Sequence, residues 1–368
     1  MHAFYDQGAC HPSTGIITNN YGDVDCRNGN VTILAFLELN GADVRFFSTV
    51  TFAHAKFIAA DLNSTRAAPR VAISSVNWSP SSITANREAG AILSGTAAAP
   101  LATFMLDVFA ADFARATPLV VKATDYDAAA LAVITNSSHI DVTVPPSPHA
   151  HPSLAGGCFD ASRMRAFNWC HPLVLGPAAR VTVAASPDGA YPELVSRLRA
   201  SSLLEVYIYQ ITDDMCDLLV ELAADPSRTI RVLVSGRIYG GCDCTHARSC
   251  YQRLSEAGVT LRVGSTTCFN YAHQKFWVLD GTSVGWSTGN WGSSDFPFTN
   301  ATLATLAGTP QTFPPFGASG WRRANRDFSV YVDNAPDVVE AFRTVMYSDW
   351  VGQSAANWTL SFNVRCGF

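Results

Sequence analysis

The sequence has very little lysine and no long apolar run. Its 25 basic residues include only three lysines, Lys56, Lys122 and Lys275, and the net charge is −5 with a pI near 6.0. This balance gives no electrostatic basis for tight, non-specific binding to a polyanion. The longest apolar runs, such as residues 128–134, are much shorter than the roughly 18 residues of a spanning helix. The composition therefore disfavours a nucleic-acid scaffold and a membrane span, and leaves a nuclease open.

Residues 1–15 have neither a charged start nor an apolar core, so the sequence does not predict a secretory leader there. Two other features nevertheless indicate export, namely the number of cysteines and the presence of several Asn-x-Ser/Thr sites. The ten cysteines form an even set, which suits disulfides in an oxidising compartment. We therefore predict a secreted or lumenal glycoprotein with a processed or incomplete N-terminus. Its candidate glycosylation sites are the Asn-x-Ser/Thr positions Asn30, Asn63, Asn136, Asn300 and Asn357.

Three cysteines close together, Cys242, Cys244 and Cys250, resemble a metal-ligand set with His246. Their spacing is not one that structural zinc sites use. The sequence therefore predicts disulfides here rather than a metal site, and Cys158 with Cys170 is a further candidate pair.

The order of predicted elements is repeated along the chain. In the second half, apolar alternation predicts strands at 203–210, 230–235 and 259–263, and helical spacing predicts helices at 213–224 and 250–257, with Gly258 closing the latter. The run 273–280 follows. In the first half, a helix at 31–39, a strand at 44–47 and the run 54–61 repeat the end of this order. Strands that alternate with helices predict an α/β layered architecture.

The two halves differ in length before the repeated run. From Leu203 to His273 is 70 positions, whereas 53 residues precede His54. We therefore predict a first repeat at 1–143 that is shortened at its N-terminus, a linker at 144–157, rich in proline and glycine, and a second repeat at 158–368.

Each half also carries the pattern H-x-K-x4-D, then a small hydroxyl residue, an Asn two positions later, and an Asn-Arg-acid triplet. Two of the three lysines belong to this pattern, so chance is a poor explanation. The residues of the first half are His54, Lys56, Asp61, Ser75, Asn77, Asn86, Arg87 and Glu88, and those of the second are His273, Lys275, Asp280, Thr288, Asn290, Asn325, Arg326 and Asp327.

The doubled pattern resembles that of the phospholipase D superfamily, over about residues 31–350. The resemblance implies a duplicated phospholipase D-type fold, with two α/β/α layered halves around a pseudo-twofold axis. It also implies a phosphodiesterase in which His54 forms a phosphohistidine and His273 is the general acid, then the base, although these two roles could be exchanged. Glu88 and Asp327 then stand where the family carries an acid that orients a ring nitrogen, on the histidine of the opposite half.

The spacing has a physical reason. Residues i and i+2 of a strand face the same side, so each His projects with its Lys into one pocket. Lys56, Lys275, Asn77 and Asn290 could bind the non-bridging oxygens of a phosphodiester, so no metal or other cofactor is expected. We expect Asp61 and Asp280 to make structural hydrogen bonds. Ser75 and Thr288 would support the asparagines or bind phosphate, since no nucleophile elbow surrounds them.

The second repeat has an insertion beside this pattern. From Asn290 to Asp327 is 37 positions, against 11 from Asn77 to Glu88. An aromatic loop here could shape an apolar entrance or contact a lipid surface transiently, or could equally be a packed surface loop. The candidate substrate-rim residues are Trp78, Trp291, Phe296, Phe298, Phe313, Phe316 and Trp321, although core packing is an equal alternative for the two motif tryptophans.

Three functions follow as hypotheses. The first is hydrolysis of the distal phosphodiester of a phospholipid, which yields phosphatidic acid and a head-group alcohol. The second is a secreted or lysosomal nuclease, because the same histidine chemistry cleaves nucleic acids and aromatic residues stack on bases. The third is a structural protein that keeps the fold without catalysis. The sequence leaves the oligomeric state open.

Overall fold

The fold was obtained as a computed structural model, and the chain divides into two compact units. Unit 1 comprises Met1–His54, Met105–Ser147 and Pro314–Arg323, and unit 2 comprises Ala55–Phe104, Pro148–Phe313 and Ala324–Phe368. The structure describes residues 2–5, 10–11, 16–19, 22–25, 37–38, 41–46, 52–60, 69–77, 82, 86–95, 98–118, 173–239, 241–264, 271–297, 324–350, 356–357 and 364–367.

Strands and helices of the described ranges are numbered here in chain order. They are β1 His2–Tyr5, β2 Cys10–His11, β3 Ile16–Asn19, β4 Gly22–Asp25, β5 Asp43–Phe46, β6 Phe52–Ala53, β7 Phe57–Ala60, β8 Arg70–Ser74, β9 Gly90–Ser94, α1 Ala99–Arg115, β10 Thr117–Pro118, β11 Arg180–Ser186, α2 Ala190–Ala200, β12 Leu203–Ile208, α3 Asp213–Ala223, β13 Thr229–Val234, β14 Arg237–Tyr239, α4 Gly241–Glu256, β15 Thr260–Val263, β16 Lys275–Leu279, β17 Ser283–Ser287, β18 Asn325–Asp333, α5 Pro336–Ser348, β19 Ala356–Asn357 and β20 Arg365–Gly367.

Unit 1 contains two small sheets. Strand β5 lies between β1, to which it is parallel, and β10, to which it is antiparallel, and β2, β3 and β4 form an antiparallel meander. Arg45 of β5 forms an ion pair with Asp43 and places its guanidinium 4.1 Å from the ring centroid of Phe113. This contact ties β5 to the C-terminal part of α1.

Unit 2 is built on a large mixed sheet with the strand order β11-β18-β17-β16-β12-β13-β15-β19. Strands β12, β13 and β15 are parallel, and the other neighbours are antiparallel. Helices α2, α3 and α4 contribute to one core cluster with residues of the sheet, such as Val206 and Trp277. Phe342 of α5 packs on Phe276 and Trp286, with ring centroids 5.0 and 5.6 Å away. The protein is therefore an α/β protein with helices packed on a mixed sheet, and the predicted fold class is confirmed.

A second sheet of unit 2 comes from the first half of the chain. Strands β7, β8 and β9 pair in antiparallel fashion, and Phe57 and Phe104 pack edge-on against Phe328 of β18 at 5.2 and 6.5 Å. Lys56 directly precedes β7, and Ser75 directly follows β8. This packing brings motif residues of the first half close to β18 of the second.

The element predictions for the second half are confirmed with small shifts of their ends, at β12, α3, β13 and β15. Gly258 follows α4 with φ +88°, a conformation that favours glycine, as its predicted closing role requires. Helix α4 starts at Gly241, nine residues before the predicted start at Cys250. Its first turns are polar and rich in cysteine, so apolar periodicity does not mark them. In the first half the strand predicted at 44–47 is β5, whereas the linker at 144–157 lies outside the described residues, so the domain boundary stays a prediction.

A disulfide joins α3 to α4 through Cys216 and Cys250, and Cys244 is also disulfide-bonded. The predicted preference for disulfides over zinc is confirmed for Cys244 and Cys250, while Cys158 and Cys170 lie outside the described residues. In the part of the chain that the structure describes, no helix combines the length and the hydropathy of a membrane span.

Removing the Cys216–Cys250 disulfide is expected to lower the free energy of unfolding. A loop of 34 residues gives an entropic stabilisation of about 3 to 4 kcal/mol, because the cross-link restricts the unfolded chain. Guanidinium unfolding of the Cys216→Ala, Cys250→Ala double variant checks this loss. Under full reduction the variant and the wild-type protein should converge, and a difference that persists unchanged would contradict the cross-link as its cause.

Candidate active site

The motif histidine of the second half lies just before a strand rather than within it. Strand β16 begins at Lys275, and the backbone N–H of His273 donates to the carbonyl of Arg87 at 2.7 Å. The expectation that each His and Lys share one strand is therefore wrong for His273. The reason is that its backbone pairs with a segment of the first half, which the sequence alone does not reveal. The strand of the first half likewise begins after its motif residues, at Phe57.

A carboxylate of the first half contacts the imidazole of the second half. His273 Nδ1 lies 2.9 and 3.0 Å from the two carboxylate oxygens of Glu88, and both side chains are about nine-tenths buried. Ser75 Oγ donates to Glu88 Oε2 at 2.5 Å and accepts the Ala89 N–H at 3.1 Å. A carboxylate bound in this way fixes the orientation and the tautomer of the ring. Glu88 thus makes the contact with the opposite half that the family resemblance implied for it.

The second half repeats the arrangement of hydroxyl and acid. Thr288 Oγ1 donates to Asp327 Oδ1 at 2.6 Å and accepts the Phe328 N–H at 3.0 Å, so it corresponds to Ser75 with Glu88. Ser75 and Thr288 therefore support the two acids, whereas the sequence assigned them to the asparagines or to phosphate. The duplication extends from the sequence pattern to the hydrogen bonds.

Two buried ammonium groups lie in the same region of unit 2. Lys275 Nζ donates to the His273 carbonyl at 2.8 Å and lies 5.4 Å from the ring centroid of Tyr209, while Lys56 Nζ donates to the Thr288 carbonyl at 3.4 Å. Burial lowers the pKa of Lys275 to about 7 and that of Lys56 to about 8. Nearby carboxylates oppose this fall, Glu88 most for Lys275 and Asp327 most for Lys56.

The same surroundings keep His273 neutral. Burial and then the charge of Lys275 lower the pKa of His273 to about 3, against the opposing effect of Glu88. Burial would raise the pKa of Glu88, but the contacts with His273 and the charge of Lys275 outweigh it and hold this pKa below its ordinary value. The state that follows is an ionised Glu88 that accepts Nδ1–H, with the lone pair of His273 on Nε2.

Two residues close to the motif residues, Tyr209 and Asp295, were missed by the sequence analysis. The ring of Tyr209 packs edge-on against the imidazole of His273 with centroids 4.9 Å apart, and its hydroxyl accepts the Tyr239 N–H at 2.6 Å. Tyr209 directly follows β12, whose Ile208 pairs with Lys275, so its place depends on a strand register that the sequence does not show.

Asp295 is the other missed residue. It is 2% exposed, accepts a hydrogen bond from Asn325 Nδ2 at 3.0 Å and lies with a carboxylate oxygen within 4.8 Å of one from Asp327. Such a pair of carboxylates could hold a divalent cation, although the Lys56 and Lys275 ammonium groups supply positive charge nearby. A Cβ at residue 289 would lie 2.7 Å from Asp327 Oδ2 and 2.8 Å from Asp295 Cβ. The close approach of the two acids thus requires Gly289.

The remaining predicted residues fall into four groups. Asp280 lies in a turn after β16 with φ 51° and accepts the N–H groups of Ser202 and Leu203, which agrees with a structural role. Asn77 is exposed, Asn290 is partly buried and His54, the last residue of unit 1, is half-buried. Asn357 lies in β19. The predicted residues that lie outside the described ranges are Asp61, Trp78, Phe298, Phe313, Phe316, Trp321, Asn30, Asn63, Asn136 and Asn300.

The substrate-rim prediction is wrong for Phe296, and for Trp291 the alternative of core packing is confirmed. Both are fully buried and belong to the hydrophobic core cluster of unit 2. Trp291 packs on Trp277 at 5.2 Å, and its backbone pairs with the segment after β12. Burial of these large apolar surfaces stabilises the sheet end that carries the motif, which explains their place beside Asn290.

No protein-family model matches the chain, and no curated protein matches it. Among solved structures, the chain is similar to Nuc, a phospholipase D family member from Salmonella typhimurium, with 17% identity, a TM-score of 0.35 and coverage of 49% of this chain and 98% of that one. It is also similar to NucT from Helicobacter pylori, at 11% identity and a TM-score of 0.35, over 49% and 99% of the two chains. Phosphatidylserine synthase from Haemophilus influenzae Rd KW20 is a third, at 11% identity and a TM-score of 0.49, over 86% of this chain and 66% of that one.

Proposed function

We propose that this protein is a phosphodiesterase that works through a phosphohistidine intermediate without a metal. The observation that carries the proposal is the buried pair of Glu88 and His273, joined at 2.9 Å from opposite halves of the duplicated sequence beside the ammonium groups of Lys56 and Lys275. A carboxylate that orients an imidazole next to fixed cations suits attack on, or release of, an anionic phosphate.

The cations account for substrate binding. Phosphodiester displacement spreads negative charge over the non-bridging oxygens, and ammonium groups in a dry site stabilise this charge more than in water. Binding of the anion would also offset the repulsion that two lysines exert on a proton at His273. The phosphate is therefore expected to raise the pKa of His273 and so to prepare it as an acid.

The proposed reaction has two displacements. A ring nitrogen of His54 attacks phosphorus, the bond to the leaving oxygen breaks, and His273 Nε2 gives its proton to that oxygen. His273, now neutral, accepts a proton from water, which attacks phosphorus and breaks the bond to His54. By the internal duplication, we propose that Asp327 orients His54 as Glu88 orients His273.

We propose a phospholipid as the substrate, cleaved at its distal phosphodiester to phosphatidic acid and a head-group alcohol. The support lies in the sequence, in its acidic balance and in the aromatic residues of the insertion other than the buried Trp291 and Phe296. A nuclease is the second candidate, since Lys56, Lys275 and His273 could act on the phosphate of a nucleic acid as well as on that of a lipid. Under either proposal the protein acts in a secreted or lumenal compartment, where its disulfides are stable.

An intermediate trap tests the proposal. The protein is incubated with phosphatidylcholine labelled in its phosphate, or with labelled single-stranded DNA, and quenched during turnover. Base-stable, acid-labile label on His54 from the lipid supports the phospholipase, whereas label from the oligonucleotide alone supports the nuclease. No label and no turnover from either would leave a structural protein. Parallel reactions with EDTA test the metal, since Asp295 and Asp327 together could hold one, and inhibition by EDTA would overturn the metal-independent mechanism.

The lysines predict a pH dependence in the neutral range. An ammonium must be charged to bind phosphate, and Lys275 and Lys56 lose their protons as the pH rises through about 7 and about 8. We therefore expect kcat/KM to fall above neutral pH, with KM rising before kcat falls, because bound phosphate holds the protons on both lysines. Steady-state kinetics across this range check the effect, and a constant kcat/KM through both values would contradict it.

A further inference from the structure

Arg87 is held to the segment of His273 by its backbone. Its N–H donates to the Tyr271 carbonyl at 2.8 Å, its carbonyl accepts the His273 N–H at 2.7 Å, and the pair Arg87 and Ala272 forms an isolated parallel bridge. One residue of the first half thus pairs on both sides with the chain that carries His273. Glu88 is the next residue, so its side chain extends from a backbone that is already held next to His273.

The side chain of Arg87 forms a second attachment. Its Nε and Nη2 donate to the two carboxylate oxygens of Asp349, both at 3.0 Å, and Asp349 has only 3% of its side chain exposed. The hydroxyl of Tyr207 on β12 donates to the same carboxylate at 2.9 Å. Planar bidentate pairing of this kind fixes direction as well as distance. Successive side chains of an extended segment point to opposite sides, so an anchored Arg87 leaves Glu88 directed at His273.

The second half has the same Asn-Arg-acid triplet. In the triplet Asn325-Arg326-Asp327, the acid accepts from Thr288, and the arginine donates to the carboxylate of Asp188 and to the Ser186 carbonyl. In both halves, therefore, the residue before the acid is an arginine that pairs with a separate carboxylate. The carboxylates that hold the two arginines, Asp349 and Asp188, come from different parts of the fold.

We infer that Arg87, held by Asp349 and Tyr207, is a positioning residue that fixes Glu88 against His273. This inference rests on the proposed function. An error of about 1 Å in catalytic geometry can cost on the order of 100-fold in rate. The hydrogen bonds of Lys275 and Lys56 to the carbonyls of His273 and Thr288 do not include this ion pair. Loosening the anchor should therefore lower kcat and leave KM nearly unchanged.

Arg87→Lys is the informative variant, since it keeps the charge near Asp349 and removes the bidentate pairing. We expect kcat to fall by about 10- to 100-fold with KM within about twofold. Tyr207→Phe removes one hydrogen bond to Asp349 and should act in the same direction by less. Arg197→Lys is the matched control, because Arg197 is a similarly buried arginine of unit 2 that binds Asp333 and Glu193. It should leave kcat unchanged.

Two further measurements separate positioning from a general loss of structure. In a Glu88→Gln background, Arg87→Lys should cause no additional loss, because the group that it positions is already gone. Equal losses in both backgrounds, or a loss no larger than that of Arg197→Lys, would overturn the inference. Histidine ¹⁵N NMR of Arg87→Lys should show a weaker Nδ1–H hydrogen bond at His273. That reading needs no turnover, so it still tests the inference if the wild-type protein hydrolyses no phosphodiester.

Discussion

Replacing either motif histidine by alanine is expected to lower turnover by about 10⁴-fold or more, since both displacements of the proposed mechanism need both imidazoles. His54→Ala lacks the proposed nucleophile, so no covalent intermediate can form. His273→Ala lacks the proton donor, so the leaving alcohol would have to depart as an alkoxide. Both variants should keep the wild-type fold by circular dichroism, and rates on the natural and an activated substrate measure the effects.

The leaving group distinguishes the two roles. A p-nitrophenyl phosphodiester releases a phenolate that needs no proton, so it should restore much of the first step in His273→Ala but none in His54→Ala. Rescue of His54→Ala alone would exchange the two assignments. His246→Ala is a suitable control, because His246 is exposed on α4. Full activity in either motif variant would contradict the two-histidine mechanism.

Glu88→Gln is expected to reduce kcat by about 10³- to 10⁴-fold while the protein stays folded. The amide has nearly the shape of the carboxylate, but it cannot stabilise a charged imidazole, and it can present N–H to Nδ1 and so select the wrong tautomer. Removal of the negative charge also lowers the pKa of His273 further, because Glu88 opposes the effect of burial there. The alkaline limb of the kcat profile, where His273 loses the proton that it gives to the leaving group, should therefore move to lower pH.

The matched control for this variant is Glu221→Gln. Glu221 is an exposed acid of α3 that pairs with Arg199, and its replacement should leave kcat unchanged. Ser75→Ala should show a smaller loss in the same direction as Glu88→Gln, because Ser75 Oγ donates to the Glu88 carboxylate. A loss below about 10-fold in Glu88→Gln would show that the carboxylate does not tune the imidazole.

Local sequence signals identified five elements of the second half, which are β12, α3, β13, α4 and β15. Apolar alternation at 203–208 and helical spacing at 213–223 depend on neighbours within a few residues, so they can be detected before the chain folds. The helix start at Gly241 was missed because polar cysteine-rich turns carry no apolar period. Phe296 was assigned to a rim, and Trp291 to a rim or the core, because the sequence records that a residue is aromatic but not which side of a sheet end it faces.

The sequence by itself determined the chemical groups of the candidate site and their doubling, because the spacing H-x-K-x4-D and the Asn-Arg-acid triplet are covalent facts of the chain. Only the tertiary structure decided which groups touch. The contact of Glu88 with His273 spans 185 positions, and the anchoring of Arg87 by Asp349 spans 262. Such pairs form when strand register and helix packing bring distant segments together, and no local pattern encodes that register.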